Sequence, residues 1–281
     1  MKKRILKLSA LAVALALTVG IILFANSLVG NPVSRLMATN TAKNHLAEHY
    51  ADRDFTVDGV IFSFKHGYYH AYISSPSSVD SSFTLAIALD GELIHDYYED
   101  RVINRWNTAD RIGRDYRNAV DAVLNSPSFP YNEHIGYGDL EFISEEYKND
   151  PSVPEYAIVT NTLILDGFYN ASELGAEAGK LTIYLEDETV SYERLAEIIL
   201  DVKKIFDSAG VKFYVLDLVL EYPKQTDGTK KEDRVEVMDF LYSDIHEDGM
   251  TDRVKASDEA AKAYYAEQDT EKFKEKVEEN K

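Results

Sequence analysis

Two histidines and a glutamate near the start of the chain form the sequence pattern with the most specific chemistry. His45, Glu48 and His49 make an H-x-x-E-H string. On a helix, two imidazoles four residues apart lie on one face and can bind Zn²⁺ while the glutamate acts as a general base, as in inverted zinc metalloproteases. That chemistry also needs a downstream acidic ligand and a large domain around a substrate cleft. The domain predicted around this helix is small, so we predict two solvated imidazoles and no metal site.

Five arginines are concentrated in the second long helix that the hydrophobic pattern predicts. Guanidinium groups bind phosphates, lipid headgroups and acidic protein surfaces through bidentate hydrogen bonds. The alternative is a solvated helix face, which the four-residue spacing of Asp110 and Arg114, and of Arg117 and Asp121, favours. The binding interpretation predicts that the row docks on acidic surface in the second domain or near the membrane. The candidate binding residues are Arg101, Arg105, Arg111, Arg114 and Arg117.

The other combinations of reactive residues favour structural interpretations. His66 and His70 flank a predicted hairpin turn and can meet across it, but two histidines do not complete a tetrahedral metal site. The sequence has no G-x-S-x-G, P-loop or G-x-G-x-x-G pattern and no cysteine, which excludes a thiol nucleophile, thiolate metal ligands and disulfides. We predict no catalytic residue and no cofactor. Whether the protein is an enzyme stays open, with a non-enzymatic role favoured.

The first thirty residues predict a membrane anchor. Residues 8–30 are 23 consecutive uncharged residues, and four basic residues stand just before them. A helix needs about 20 apolar residues to span the hydrocarbon of a bilayer, and preceding basic residues predict a cytoplasmic N terminus. A cleaved signal peptide is the alternative, but its apolar core is shorter, about 7–15 residues. We therefore predict a retained, single-pass transmembrane signal anchor over residues 1–30.

Charge separates this segment from the rest of the chain. Five of the 30 basic residues lie at or before Arg35, ahead of any acidic residue, since the first acid is Glu48. Residues 36–281 then hold 25 basic against 49 acidic residues and carry a charge of −24. Such a charge repels nucleic acid, so no nucleic-acid partner is expected. The contrast predicts a protein of the cell membrane whose acidic part lies outside the cytoplasm.

The hydrophobic pattern divides that acidic part into two small α+β domains with mainly antiparallel sheets. For residues 31–126 the pattern predicts a helix, four strands in two hairpins and a second helix. Asp90-Gly91, between two strand-like runs, is a strong hairpin signal. Residues 127–245 predict a second domain, which begins with a linker-like stretch. Its strand–helix–strand segment from Lys180 to Tyr222 has room for a right-handed parallel crossover. Residues 246–281 predict an acidic, helix-prone tail.

Short motifs in the first domain and its second helix match those of a known family. They are Asn31-Pro32-Val33-Ser34, Asn40-Thr41-Ala42, Ser77-Ser78-Val79-Asp80 with Phe83, Tyr98-Glu99, and Asn107-Thr108 with Arg111 and Tyr116. In these motifs the chain resembles the YfjL-like family, over roughly residues 1 to 245. The resemblance implies an uncharacterised, membrane-anchored protein of a Gram-positive bacterium with an N-terminal and a C-terminal domain. It supplies no catalytic residue.

The predicted function is that of a binding or interaction module outside the cytoplasmic membrane, because small four-stranded domains offer sheet faces and edges to partners. The expected partners are the membrane, through the N-terminal helix, and a protein or peptide outside it. The alternatives are a hydrolase-type enzyme with carboxylate or metal chemistry, and a structural tether. An exposed apolar patch on a sheet favours the binding module, whereas a cleft that gathers several acids and a histidine favours the enzyme.

Overall fold

The chain forms two compact units. The computed structural model describes residues 11–18, 20, 24, 28, 30–225, 229, 231 and 233–279, with residues 269–279 as backbone alone. The first unit comprises Met1–Thr108 and Leu163–Gly167, and the second comprises Ala109–Thr162 and Phe168–Lys281. The division lies inside a helix, whereas the sequence predicts a boundary after residue 126.

The prediction of an N-terminal transmembrane helix is wrong for the part of the chain that the structure describes. In that part, no helix combines the length and the apolar character that a membrane crossing requires. A span needs about 20 consecutive apolar residues, and the longest continuous stretch described before residue 30 is the helical segment 11–18. The rest of the predicted anchor, residues 1–10 and most of 19–29, lies outside the described residues.

The first unit is a helix packed on a four-stranded antiparallel sheet. The elements are helix α1 (Pro32–His49) and strands β1 (Thr56–Ser63), β2 (Tyr68–Ser75), β3 (Ser78–Ile87) and β4 (Leu93–Asp96). The strands pair in the order β1-β2-β3-β4. A π-helical turn over Glu99–Ile103 follows the sheet.

Local sequence accounts for most of this unit. The Asn31 side chain caps α1 by accepting a 2.8 Å hydrogen bond from the Ser34 backbone N–H. Ala38, Ala42 and Leu46, four residues apart, are buried along one side of the helix. The two hairpins lie where the sequence predicts them. Their turn glycines, Gly67 and Gly91, have φ of 76° and 90°, a region that favours glycine.

The second unit is a mixed sheet with helices. The elements are α2 (Trp106–Leu124), β5 (Asn132–Leu140), the short parallel pair β6 (Phe142–Ile143) and β7 (Ile158–Val159), α3 (Ala171–Ala178), β8 (Gly179–Glu186), α4 (Tyr192–Ala209), β9 (Val215–Glu221), β10 (Arg234–Leu241) and α5 (Met250–Glu279). Single 3₁₀ turns lie at Glu145–Tyr147, Thr160–Thr162 and Tyr242–Asp244. The four long strands pair in the order β10-β9-β8-β5; β8 and β9 are parallel and the other pairs are antiparallel.

The predicted parallel crossover is confirmed. Strand β8, helix α4 and strand β9 follow one another, and β8 pairs in parallel with β9. The Ser191 hydroxyl caps α4 by accepting from the Arg194 N–H at 3.2 Å, and Gly210 ends the helix with φ of 70°. The capping serine and the terminal glycine are both visible in the sequence, and they mark the ends of the helix predicted between the two strands.

Two predicted elements differ from the structure. The second helix expected within residues 31–126 is interrupted at Arg105, whose φ is 61°, so that a π-helical turn and α2 replace one continuous helix. The linker-like stretch before residue 138 contains the start of β5, which pairs with β8. Because that pairing joins residues far apart in the chain, the local pattern does not contain it.

Candidate functional site

The sheet of the first unit has one face covered by α1 and one face with exposed side chains. On β2, Tyr69, Ala71 and Ile73 are buried, and the alternate residues point to the other face. That outer face includes Tyr72, whose relative exposure is 45%, and Ile61, the cross-strand neighbour of His70, at 59%. The uncovered face therefore presents large side chains to solvent.

Aromatic rings follow one another on this outer face along the turn before β2 and along β2 itself. We call them the aromatic stripe: His66, Tyr68, His70 and Tyr72. The rings of His66 and Tyr68 are stacked with centroids 5.3 Å apart, and those of Tyr68 and His70 are 5.0 Å apart. His66 Nδ1 lies 3.2 Å from His70 Nε2, so the two histidines meet across the turn. The sequence signal for the stripe is the alternation of Tyr68, His70 and Tyr72 in one strand.

A shallow groove of about 460 Å³ lies beside the stripe. The Asn107 amide N–H₂ donates to the Asp80 carbonyl at 2.8 Å, and its oxygen accepts from Arg101 Nε at 3.0 Å. These contacts fix a guanidinium and an amide at the groove wall. The residues that line the groove are Asp58, His70, Tyr72, Ile73, Ser74, Ser82, Phe83, Thr84, Tyr97, Arg101 and Asn107.

Burial changes the protonation of two groups in the stripe and groove. Burial, together with the charge of the nearby His66 imidazole, lowers the pKa of His70 below its ordinary value of 6.5. Burial and the neighbouring Tyr68 hydroxyl raise the pKa of Tyr97. Near neutral pH the groove therefore holds a neutral imidazole and a neutral phenol, which both donate and accept hydrogen bonds.

The lowered pKa of His70 predicts acid sensitivity of the first unit. Below about pH 6.5 the unfolded chain binds a proton at His70 that the folded chain does not. The free energy of unfolding therefore decreases as the pH is lowered, until the pH reaches the pKa of His70 in the folded chain. Urea unfolding measures the free energy of unfolding at pH 7.5 and at pH 5.0. We expect it to decrease less between these two pH values in His70→Gln than in the unchanged protein. His49→Gln, at an exposed histidine, is the control, and equal pH dependence of all three proteins would contradict the prediction.

The H-x-x-E-H residues lie on α1 but do not form a metal cluster. His45 Nε2 contacts Asp96 Oδ2 at 2.8 Å, and the Tyr50 hydroxyl donates to the same oxygen at 2.7 Å. The rings of His45 and His49 have centroids 4.4 Å apart, and Glu48 is exposed. Within the described residues, the three do not bring their ligand atoms together as a metal-binding group.

The five candidate arginines are not all on one helix. The interruption of the helix leaves Arg101 and Arg105 in the first unit and the other three in the second. Arg105 donates to the carbonyls of Val102 at 2.6 Å and Leu163 at 3.3 Å, which is a structural role. Among the arginines, Arg101 lines the groove. In the second unit Arg117 pairs with Asp139, Arg114 is exposed and Arg111 is half-buried.

Two clusters of ionisable side chains lie on the second sheet. The Lys180 ammonium lies 2.9 Å from Asp217 and 2.8 Å from Asp239, which ties together three neighbouring strands. Burial alone would lower the pKa of Lys180, but hydrogen bonds to both aspartates raise it above its ordinary value, so the lysine stays charged. The second cluster, His134, Glu186 and Glu221, combines donor atoms suited to a metal ion.

Comparison with known proteins identifies two family models along the chain. The model of the YfjL-like N-terminal domain matches residues 2–96, and that of the YfjL-like C-terminal domain matches residues 115–255. No curated protein matches the chain. Among solved structures, the crystal structure of a DUF5037 family protein from Ruminococcus gnavus is similar at 14% identity and a TM-score of 0.20, over 66% of this chain and 74% of the other.

Proposed function

The chain belongs to the YfjL-like family, and on that premise we propose that it is a binding protein whose first unit holds an uncharged glycan strand on the outer face of its sheet. The family descriptions name no chemistry, so the proposal depends on the residues of the groove. The observation that carries it is the aromatic stripe beside a groove lined with hydrogen-bonding groups.

The stripe supports stacking of a ring-shaped, partly apolar ligand. Side chains two residues apart in a strand are about 6.6 Å apart, the scale of one sugar ring. Tyr72 is 45% exposed, so its ring has free area for a ligand. Aromatic rings offer large contact area at little entropic cost because they have only two side-chain torsions.

The groove supports recognition of hydroxyl groups. Arg101 and Asn107 are held by the contacts described above, and Asp58, Thr84 and Tyr97 add donors and acceptors along the same wall. A ligand rich in hydroxyls can pair with both kinds of group, because each hydroxyl donates and accepts.

Charge argues against a negatively charged ligand. The whole chain carries −19, which opposes nucleic acids and other polyanions. A neutral glycan avoids this repulsion and pairs through hydrogen bonds and stacking alone. The location outside the cytoplasm, which the charge contrast predicts, stays a separate prediction.

Binding is favoured over hydrolysis at this groove. Glycoside hydrolases generally use two carboxyl groups that flank the scissile bond. Of the residues described as lining the groove, Asp58 supplies one carboxylate and no second acid accompanies it. The enzyme and tether alternatives therefore have less support from this site than a binding role.

The proposal is tested by calorimetry of the full chain with soluble neutral hexasaccharides of glucose and of N-acetylglucosamine. We expect one of them to bind and Tyr72→Ala to weaken it by about tenfold, the equivalent of about 1.4 kcal/mol for one stacked ring. Tyr147→Ala removes a tyrosine of similar exposure, 48%, in the second unit and should leave affinity unchanged. Absence of binding to every glycan, or equal affinity of Tyr72→Ala, would overturn the proposal, as would binding of an extended peptide at the stripe instead.

A further inference from the structure

Three residues of the second unit meet at one end of its sheet. Glu186 and Glu221 are the last residues of the parallel strands β8 and β9, and they face each other in the parallel register. His134 lies near the start of β5, the antiparallel neighbour of β8. Three adjacent strands thus supply one imidazole and two carboxylates, and their backbones are fixed by the sheet.

A β-bulge determines the position of the histidine. Glu133 pairs with Leu185 and Ile135 pairs with Tyr184, so His134 is an extra residue between two consecutive pairs. A bulge re-aims the side chain of the extra residue, and bulges are common next to functional sites. Here the bulge brings the imidazole to the glutamates.

The distances match those that a metal ion would require. One donor atom from each residue can be chosen so that all three lie within 4.8 Å of one another, and His134 Nε2 lies 3.2 Å from Glu221 Oε1. Zinc bonds of about 2.0–2.2 Å in tetrahedral geometry separate neighbouring ligand atoms by about 3.3–3.6 Å. Small side-chain rotations would therefore close the three donors around one ion.

We propose that His134, Glu186 and Glu221 bind a Zn²⁺ ion. Two carboxylates and a neutral imidazole carry two negative charges, which a divalent cation compensates, and the imidazole favours zinc over magnesium or calcium. Both glutamates are half-buried and the histidine is exposed, so the ion has access from solvent. Asn132 Nδ2, 3.4 Å from Glu186 Oε2, can hold that carboxylate in place.

Three protein ligands leave a fourth position of a tetrahedral zinc open. Such a position takes water or an oxygen atom of a ligand, in contrast to closed structural sites with four protein ligands. The site lies in the second unit and does not depend on the glycan proposal. Without a metal, the alternative is a plain ion pair between protonated His134 and Glu221, and the experiment separates the two.

Zinc binding is measured by calorimetry and elemental analysis on the full chain after treatment with a chelator. We expect one Zn²⁺ per chain, and at least about 100-fold weaker binding in His134→Ala and in Glu221→Gln, more than the loss of an outer partner costs. Both replacements are at the sheet end, and circular dichroism checks that the variants are folded. Cobalt should bind in place of zinc with the absorption of a tetrahedral site.

The matched control is His95→Ala. His95 Nε2 lies 3.1 Å from Asp100 Oδ2 in an exposed histidine–carboxylate pair, and among the described residues no third donor completes a metal-binding group with it. Its loss should leave zinc affinity unchanged. Failure to bind zinc below millimolar concentration, unchanged affinity of His134→Ala, or equal affinity for Mg²⁺ and Zn²⁺ would overturn the proposal.

Discussion

Replacing Tyr116 by alanine lowers the free energy of unfolding by about 3–5 kcal/mol, the range found for large buried aromatic side chains. Tyr116 is fully buried in the second unit. Its hydroxyl donates a 2.8 Å hydrogen bond to the backbone carbonyl of Lys212. The variant therefore loses the burial of a whole ring, leaves a cavity and removes the hydrogen bond to the Lys212 carbonyl.

The expected loss of unfolding free energy is large because backbone atoms of glycine residues surround the Tyr116 ring. A Cβ atom added at Gly138, Gly175 or Gly179 would lie 3.0, 2.6 or 2.5 Å from an atom of Tyr116. Glycines thus let two strands and a helix approach the ring closely, and neighbours without side chains cannot repack to fill the space it leaves.

Urea unfolding of the full chain, followed by far-ultraviolet circular dichroism, measures this effect. Tyr116→Phe keeps the ring and removes the hydroxyl, so it should cost only about 0.5–1.5 kcal/mol. Tyr147→Ala, at a half-exposed tyrosine, should cost less than about 0.5 kcal/mol. A loss below about 1.5 kcal/mol for Tyr116→Ala would show that the cavity left by the ring collapses, which would contradict the prediction.

Asp258→Ala is the second large prediction, with an expected loss of about 2–4 kcal/mol in unfolding free energy. The Asp258 carboxylate is fully buried. It accepts hydrogen bonds from the Glu236 backbone N–H at 3.0 Å, the Tyr192 hydroxyl at 3.1 Å and the Lys262 ammonium at 2.6 Å. One carboxylate on α5 thereby accepts hydrogen bonds from groups on β10 and α4.

The unpaired groups left behind account for the cost. Lys262 is half exposed and can return to water, but the backbone N–H of Glu236 lies on β10, an edge strand, and loses its acceptor. A buried donor without a partner costs about 1–3 kcal/mol. The variant should also weaken the attachment of α5 to the sheet.

Two measurements check this prediction. Urea unfolding gives the stability loss, and amide hydrogen exchange should show faster exchange at Glu236 than in the unchanged protein. Glu259→Ala, at the exposed neighbouring position in the same helix, is the control and should be within about 0.5 kcal/mol of the unchanged protein. Unaltered exchange at Glu236 in Asp258→Ala would contradict the role of the carboxylate.

The candidate sites were only partly predictable. The sequence identifies His66 and His70 as partners across a turn, and they do lie in contact. It does not indicate that the same strand presents Tyr72 beside Arg101 and Asn107, because those residues reach the groove from the turn and helix that follow β4. The left-handed backbone at Arg105 interrupts the helix on which the sequence places the five arginines.

The sequence by itself determined the local elements of this protein. The hairpin at Asp90-Gly91 and the capped helix from Ser191 to Gly210 follow from nearest-neighbour chemistry: turn residues, caps and periodicity. The tertiary structure alone decided which distant residues meet. His134 and Glu221, 3.2 Å apart, lie on strands joined through β8, and strand register and a bulge fix their contact. Those are non-local pairings, which a local pattern of residue types does not encode.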